Sequence, residues 1–171
     1  MVETWKTVLG PENPSSLTGM DNLALTFWNR GRWMETEKLL VQVMEKSKTA
    51  LGPEQPDALT SMANLAATYR KQGLWTEAEK LFVQVVETRK TILGPEHPDT
   101  LTSMWNLSRT LKDLRRHTEA LSLLQACVQL QDRHLGPAHP DTIAATADLK
   151  AWQKVHSVGS ADRLRKACFL L

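Results

Sequence analysis

Two cysteines in 171 residues, Cys127 and Cys168, make neither a disulfide scaffold nor a zinc ribbon, so a reducing compartment is expected. An excess of one charge is also missing: 21 Lys and Arg stand against 19 Asp and Glu, for a net charge of +2. That balance gives no reason to expect the concentrated basic face that nucleic acid or an anionic membrane surface needs, so neither is expected as a partner. No apolar run approaches the ~20 residues of a membrane span. The first residues, Met1-Val2-Glu3-Thr4-Trp5-Lys6, are too polar for a secretory signal. The 8 glycines form neither a G-x-x-x-x-G-K nor a G-x-G-x-x-G phosphate loop. No segment alternates polar and apolar residues as a half-buried strand does. What remains, 42 % apolar and 23 % charged residues, is the composition of an ordinary globular chain, expected in the cytoplasm and needing no cofactor.

What the chain does have is a repeat. Leu9-Gly10-Pro11-Glu12-Asn13-Pro14 returns as Leu51-Gly52-Pro53-Glu54-Gln55-Pro56 and as Leu93-Gly94-Pro95-Glu96-His97-Pro98, then as Leu135-Gly136-Pro137-Ala138-His139-Pro140. The offset is 42 residues each time, without insertion or deletion. Residues 9–50 and 51–92 share 24 identities in 42, and 51–92 and 93–134 share 18, which chance does not produce in an ungapped register. The units are therefore 9–50, 51–92 and 93–134, with a partial fourth over 135–155. Residues 1–8 align with the end of a second helix, Val2-Glu3-Thr4 against Val86-Glu87-Thr88, and are expected to be one. Past residue 155 the pattern fails, and Leu164, Cys168 and Leu171 are expected on one face of a degenerate capping helix over 156–171.

Each unit reads as two helices. Pro56 starts the first, and Asp57, like Asp99 and Asp141, can cap its exposed N–H groups. Leu59, Met62, Leu65, Ala66 and Tyr69 then form one apolar face. Gly73 breaks this helix, as Gly31 does one unit earlier, and Thr76 with Glu79 has the spacing of a capping box for the next. Ala78, Leu81, Phe82, Val85 and Val86 supply the second apolar face. The Leu-Gly-Pro segment ends it, because glycine takes the left-handed cap and proline cannot continue the ladder. Trp33 and Trp75 follow the breaking glycines and are expected to pack the hairpin turns, and Cys127 falls at a small core position. One hairpin cannot bury its apolar stripe alone, so neighbours must stack into an all-α right-handed solenoid of antiparallel hairpins.

Met62, Leu65, Ala66, Tyr69, Ala78, Phe82 and Val85 resemble the tetratricopeptide (TPR) pattern W-x2-L-G-x2-Y followed by A-x3-F-x2-A. The first unit matches with Met20, Leu23, Ala24, Phe27, Thr36, Leu40 and Val43; the third with Met104, Leu107, Ser108, Leu111, Ala120, Leu124 and Cys127. The long unit with its L-G-P-E-H-P-D-T segment resembles the repeats of kinesin light chains and those ending many fungal nucleotide-binding receptor proteins. The chain is accordingly expected to be a piece, or a degenerate relative, of a longer array.

The resemblance implies a TPR superhelix whose first helices line a concave, partner-binding groove. In the first unit it places Thr18, Asp21, Asn22 and Leu25 there, and in the second Thr60, Ala63, Asn64, Ala67, Arg70 and Lys71. The third unit adds Thr102, Trp105, Asn106, Arg109 and Lys112. Asn22, Asn64 and Asn106 recur at the repeat period, and an amide can pair with both backbone groups of an extended peptide or bond the next helix of its own array. Arg70, Lys71, Arg109 and Lys112 would draw an acidic peptide. Trp105, in place of Ala63, would be an exposed anchor. His97 and His139 vary with Asn13 and Gln55, which suits polar loop residues better than a metal ligand or a catalytic base. The expected function is a protein-binding scaffold, with a kinesin light chain-like motor–cargo adaptor or a structural spacer or sensor fragment of a fungal nucleotide-binding receptor as the alternatives, and no catalysis.

Overall fold

The computed structural model describes residues 14–52 and 54–168, with the side chains of residues 14, 15, 50 and 51 and of those beyond Val155 outside that description. The second-helix remnant expected over residues 1–8 also lies outside it. The described residues form helices and turns, without strands. The helices are α1 (Pro14–Asn29), α2 (Trp33–Leu51), α3 (Pro56–Gln72), α4 (Trp75–Ile92), α5 (Pro98–Asp113), α6 (His117–His134) and α7 (Pro140–Cys168). Each helix packs on the next, and α3 also touches α5, so the first helices make an inner layer and the second helices an outer one. This is a right-handed solenoid of antiparallel hairpins. The backbone of α7 runs for 29 residues, through most of the stretch expected as a degenerate capping helix. No described helix is both long and apolar enough to cross a membrane.

The helix ends follow local chemistry, though not always the residues expected. Pro56 and Pro98 sit in the first turn, where a missing N–H costs nothing. The caps are not the aspartates. His97 Nδ1 accepts the backbone N–H of Asp99, and His139 Nδ1 that of Asp141, each at 3.2 Å. Asp99 and Asp141 lie inside the first turn, where a carboxylate suits the positive end of the helix dipole. The capping box of Thr76 and Glu79 does not form, because α4 already begins at Trp75. At the equivalent ends of α2 and α6 no side chain caps the helix, and the N-cap arginine instead pairs with a glutamate of the first turn. Arg32 reaches Glu35 at 2.7 Å, while Arg116 grips both oxygens of Glu119 at 2.7 and 2.6 Å and also meets Glu79 of α4. These arginines hold the carboxyls of Glu35 and Glu119 below their ordinary range, chiefly by hydrogen bonding.

Leu59, Met62, Leu65, Ala66, Ala78, Phe82, Val85 and Val86 are buried as the two apolar faces require, with Tyr69 and Leu81 half-buried beside them. The clusters cross the repeats: Ala24 and Leu40 pack with Leu65 of the next hairpin, and Phe82 shares a core with Leu101 and Met104. Cys127 is fully buried, its thiol donates to the Leu101 carbonyl at 3.3 Å, and burial pushes its pKa up to about 12. Trp33 packs edge-on against Trp28, with ring centroids 5.4 Å apart. Trp75 departs from expectation and is 41 % exposed. The ring that Trp33 leans on is replaced one repeat later by Arg70, so Trp75 has no aromatic partner there.

The turn inside each hairpin needs a left-handed residue. Gly31 and Gly73 supply it at φ +70° and +83°, but the third repeat places Arg115 there at φ +65°. The turn is conserved in geometry: Leu74 N–H bonds the Tyr69 carbonyl at 2.9 Å, and Arg116 N–H bonds the Leu111 carbonyl at 3.0 Å. A side chain in this region costs roughly 1–2 kcal/mol, partly offset because glycine loses more freedom on folding. Arg115→Gly is therefore expected to stabilise the chain by about 0.5–1 kcal/mol, read as a higher denaturant midpoint, and Gly73→Arg to destabilise it by a similar amount.

Candidate functional site: the inner face of the array

The inner face is built by α1, α3, α5 and the start of α7, so one turn of each helix repeats along it. Its asparagines share one arrangement. The backbone carbonyls of Asn22, Asn64 and Asn106 each accept a hydrogen bond from the threonine four residues on, Thr26, Thr68 and Thr110, at 3.0, 2.8 and 2.9 Å. That ties the threonine side chains down and leaves the amides outside the helix. Asn22 and Asn64 are exposed and Asn106 half-exposed. Among the described residues, none of the three amides makes a side-chain hydrogen bond, so no bond to a neighbouring helix supports their alternative role. Thr102 is exposed like them, whereas the Thr60 hydroxyl accepts from Arg89 at 3.1 Å.

The four cations behave differently, because each meets a side chain one repeat away. Arg70 Nε donates to Asp113 Oδ2 at 2.7 Å, with the two side chains 19 % and 31 % exposed. Lys71 lies over the Trp28 ring at 5.7 Å, and Lys112 over the Trp152 ring at 4.4 Å. Arg109 stacks on Trp105 at 5.5 Å and stands 4.0 Å from Asp148 Oδ2. The Trp105 indole N–H donates to that same oxygen at 3.0 Å. Trp105 is consequently a half-buried strut between α5 and α7, not an exposed anchor. Arg70 thus gives its Nε–H to a carboxylate of its own chain and Arg109 stands near another, whereas an ammonium over a ring keeps all its N–H donors for another acceptor. Sequence reasoning passed over Asp113, Asp148 and Trp152. Asp148 was within reach of it, standing where the 42-residue register otherwise places Asn22, Asn64 and Asn106.

Two depressions open at the α1–α3 junction and share Leu25 and Asn64 in their linings. One, of about 190 Å3, is apolar and lined by Ala24, Trp28, Leu40 and Ala67 among others. The second, of about 220 Å3, is mixed in character and more polar than the first: Leu17 and Leu25 line it beside Asp21, Ser47, Asp57 and Thr60. At the apolar place one repeat on, the larger Phe82 replaces Leu40 and is fully buried. Asp21 donates nothing and accepts from Ser61 at 2.8 Å; burial raises its carboxyl above the ordinary range, against the lowering effect of Ser61. His134 pairs with Glu96 at 2.7 Å, and among the described residues no three His, Cys, Asp or Glu side chains converge as a metal site would require.

If the arginines serve as ties between repeats, their carboxylates must be coupled to them. A double-mutant cycle on Arg70→Ala and Asp113→Ala should return a coupling of about 0.5–1 kcal/mol, the upper part of the range for partly exposed pairs. Raising the salt concentration should reduce it. Additive effects would mean that the pair is incidental.

Comparison with known proteins agrees with this architecture. The Tetratricopeptide repeat family model matches residues 15–91 and 60–130. Among curated proteins, none matches the chain. Two crystal structures of a Podosopora anserina protein assigned as a kinesin light chain, with nearly identical TPR-like repeats, align with TM-scores of 0.79 and 0.77 at 31 % identity. They cover 97 % and 96 % of this chain and 79 % of that one. BtubC (BKLC) from P. vanneervenii aligns with a TM-score of 0.76 at 20 % identity, over 91 % of this chain and 66 % of its own, a likeness of fold alone. A family model spanning most of the chain and relatives at this identity leave one assignment: the chain belongs to the tetratricopeptide repeat family, with repeats of the kinesin light chain-like type.

Proposed function

We propose that the inner face binds an extended segment of a partner protein, and that this scaffold role is the chain's function. The observation that supports the reading is the row of asparagine amides that, among the described residues, make no side-chain hydrogen bond. An amide offers two donors and an acceptor, enough to pair with both polar groups of a peptide unit whatever its side chain. Three such amides at one period suit a strand-like peptide running across the first helices. The apolar depression beside Trp28 would take one of its aliphatic or aromatic side chains. Solenoids of this kind present extended concave surfaces to their ligands.

An acidic residue in the peptide is the finer part of the proposal. Its support comes from Lys71 and Lys112, which are exposed and retain donors, more than from Arg70 and Arg109, whose forks face Asp113 and Asp148. The motor–cargo adaptor reading draws its support from the kinesin light chain-like relatives, and a partner drawn from transported cargo would fit it.

The test is a partner segment recovered by capture on the full chain, measured against variants for both affinity and melting temperature. Asn64→Ala and Asn106→Ala should each weaken binding by about 0.5–1.5 kcal/mol with little change in stability, the net value of one hydrogen bond. Lys71→Glu should weaken it in a salt-dependent way. Trp105→Ala should lower the melting temperature first, because it removes a strut. Asparagine variants that melt early, with affinity falling only in step, would instead make the row a structural device and favour the spacer.

A further inference from the structure

The second depression between α1 and α3, where Asp21 and Ser47 stand, has a counterpart inside the same chain. One repeat later Ser47, Thr18, Ser61 and Asp57 become Arg89, Thr60, Ser103 and Asp99. There the Arg89 guanidinium, 6 % exposed, fills the junction. Its Nη1 donates to the Asp99 carbonyl at 3.1 Å and to Ser103 Oγ at 2.8 Å, and its Nη2 donates to Thr60 Oγ1 at 3.1 Å. Burial lowers the pKa of Arg89, so the three acceptors compensate a desolvated charge.

At the first junction the acceptors are present and the guanidinium is not. Ser47 is too short to cross the gap, and a cavity of about 220 Å3 remains, far above the roughly 10–15 Å3 that one water needs. Ser47 is 1 % exposed, lines the cavity, and its Oγ has no hydrogen-bond partner. Asp21 adds a carboxylate where the next repeat has Ala63. Its Oδ2 accepts from Ser61 at 2.8 Å, while its Oδ1 is buried without a partner. Asp57, also in the lining, adds a second negative charge close enough to raise Asp21's pKa further. Two carboxylates and an orphaned hydroxyl face a space that accepts a guanidinium elsewhere in the array. Unpaired buried acceptors cost free energy, and a cation that satisfies them recovers it.

We propose that this cavity binds the guanidinium of an arginine supplied by a partner, in the place that Arg89 occupies from within the chain one repeat later. Asp21 is the counter-charge, Ser47 Oγ and the Asp57 carbonyl are further acceptors, and Asn22 and Asn64 stand at the mouth. The inner face is then bipolar, acidic at α1–α3 and basic at Lys71 and Lys112. That the arginine belongs to an extended peptide rests on the function proposed above; the cavity's selectivity for a guanidinium does not.

The test is a nuclear magnetic resonance titration of the full chain with N-acetyl-arginine-amide, against its neutral isostere N-acetyl-citrulline-amide. Saturable shifts at Asp21, Ser47 and Thr60 are expected for the arginine compound, with the citrulline compound at least tenfold weaker. Asp21→Asn should weaken the arginine compound about tenfold, and Asn106→Ala should leave it unchanged even where it impairs peptide capture, which separates the two proposals. Ser47→Arg should place a guanidinium in the cavity permanently, raising the melting temperature and abolishing the titration. Equal binding of the two compounds, or no saturable shift, would overturn the site. So would a Ser47→Arg chain that melts lower and still binds the arginine compound.

Discussion

A two-helix hairpin with apolar residues on both helices can bury them only against another hairpin, and everything else in this chain follows from that constraint. Leu65 of the second repeat closes over Ala24 and Leu40 of the first, and Phe82 meets Leu101 and Met104 of the third. Burying a side chain of this size contributes roughly 1.5–3 kcal/mol. At these junctions the contribution exists only where a neighbouring hairpin is present. The junctions between repeats therefore add to the packing inside each hairpin, where Leu59 and Met62 meet Val85.

The same junctions shape the inner face. Stacking brings a residue of one first helix beside the next first helix, about one repeat on in sequence. Arg70 thereby finds Asp113, Trp105 finds Asp148, and Lys112 finds Trp152. These contacts set the spacing of the helices that carry the asparagines. A face that looks uniformly basic in the sequence becomes a set of internal ties with amides between them. Differences between junctions then create individual sites. Arg89 fills one junction and Ser47 leaves another open, and Phe82 fills a space that Leu40 does not.

Much of this was legible in the sequence, because the information is local. Gly31, Gly73 and the Leu-Gly-Pro segments mark the helix ends through backbone preference alone, and the apolar spacing of Leu59 to Tyr69 marks a buried face. What failed was chemistry with competing local solutions. Asp99 and His97 could both cap α5, and the histidine takes the N–H that the aspartate was expected to serve. Trp75 looked like Trp33, but burial depended on Trp28, whose counterpart is Arg70. The cations could not be assigned without the superhelix, since their partners are fixed by how far one hairpin rotates on the next. Arg115 shows the converse: the turn's geometry survives where its glycine does not.

Native-state hydrogen exchange on an Arg89→Ala variant is the most direct test of the claim that junctions couple the hairpins into one array. Arg89 belongs to α4 but bonds α3 through Thr60 and α5 through Asp99 and Ser103. The account predicts that amides in α3–α4 and in α5–α6 lose protection together, while α1 is affected least. Loss of protection confined to α4, with α5–α6 exchanging as in the parent chain, would contradict it.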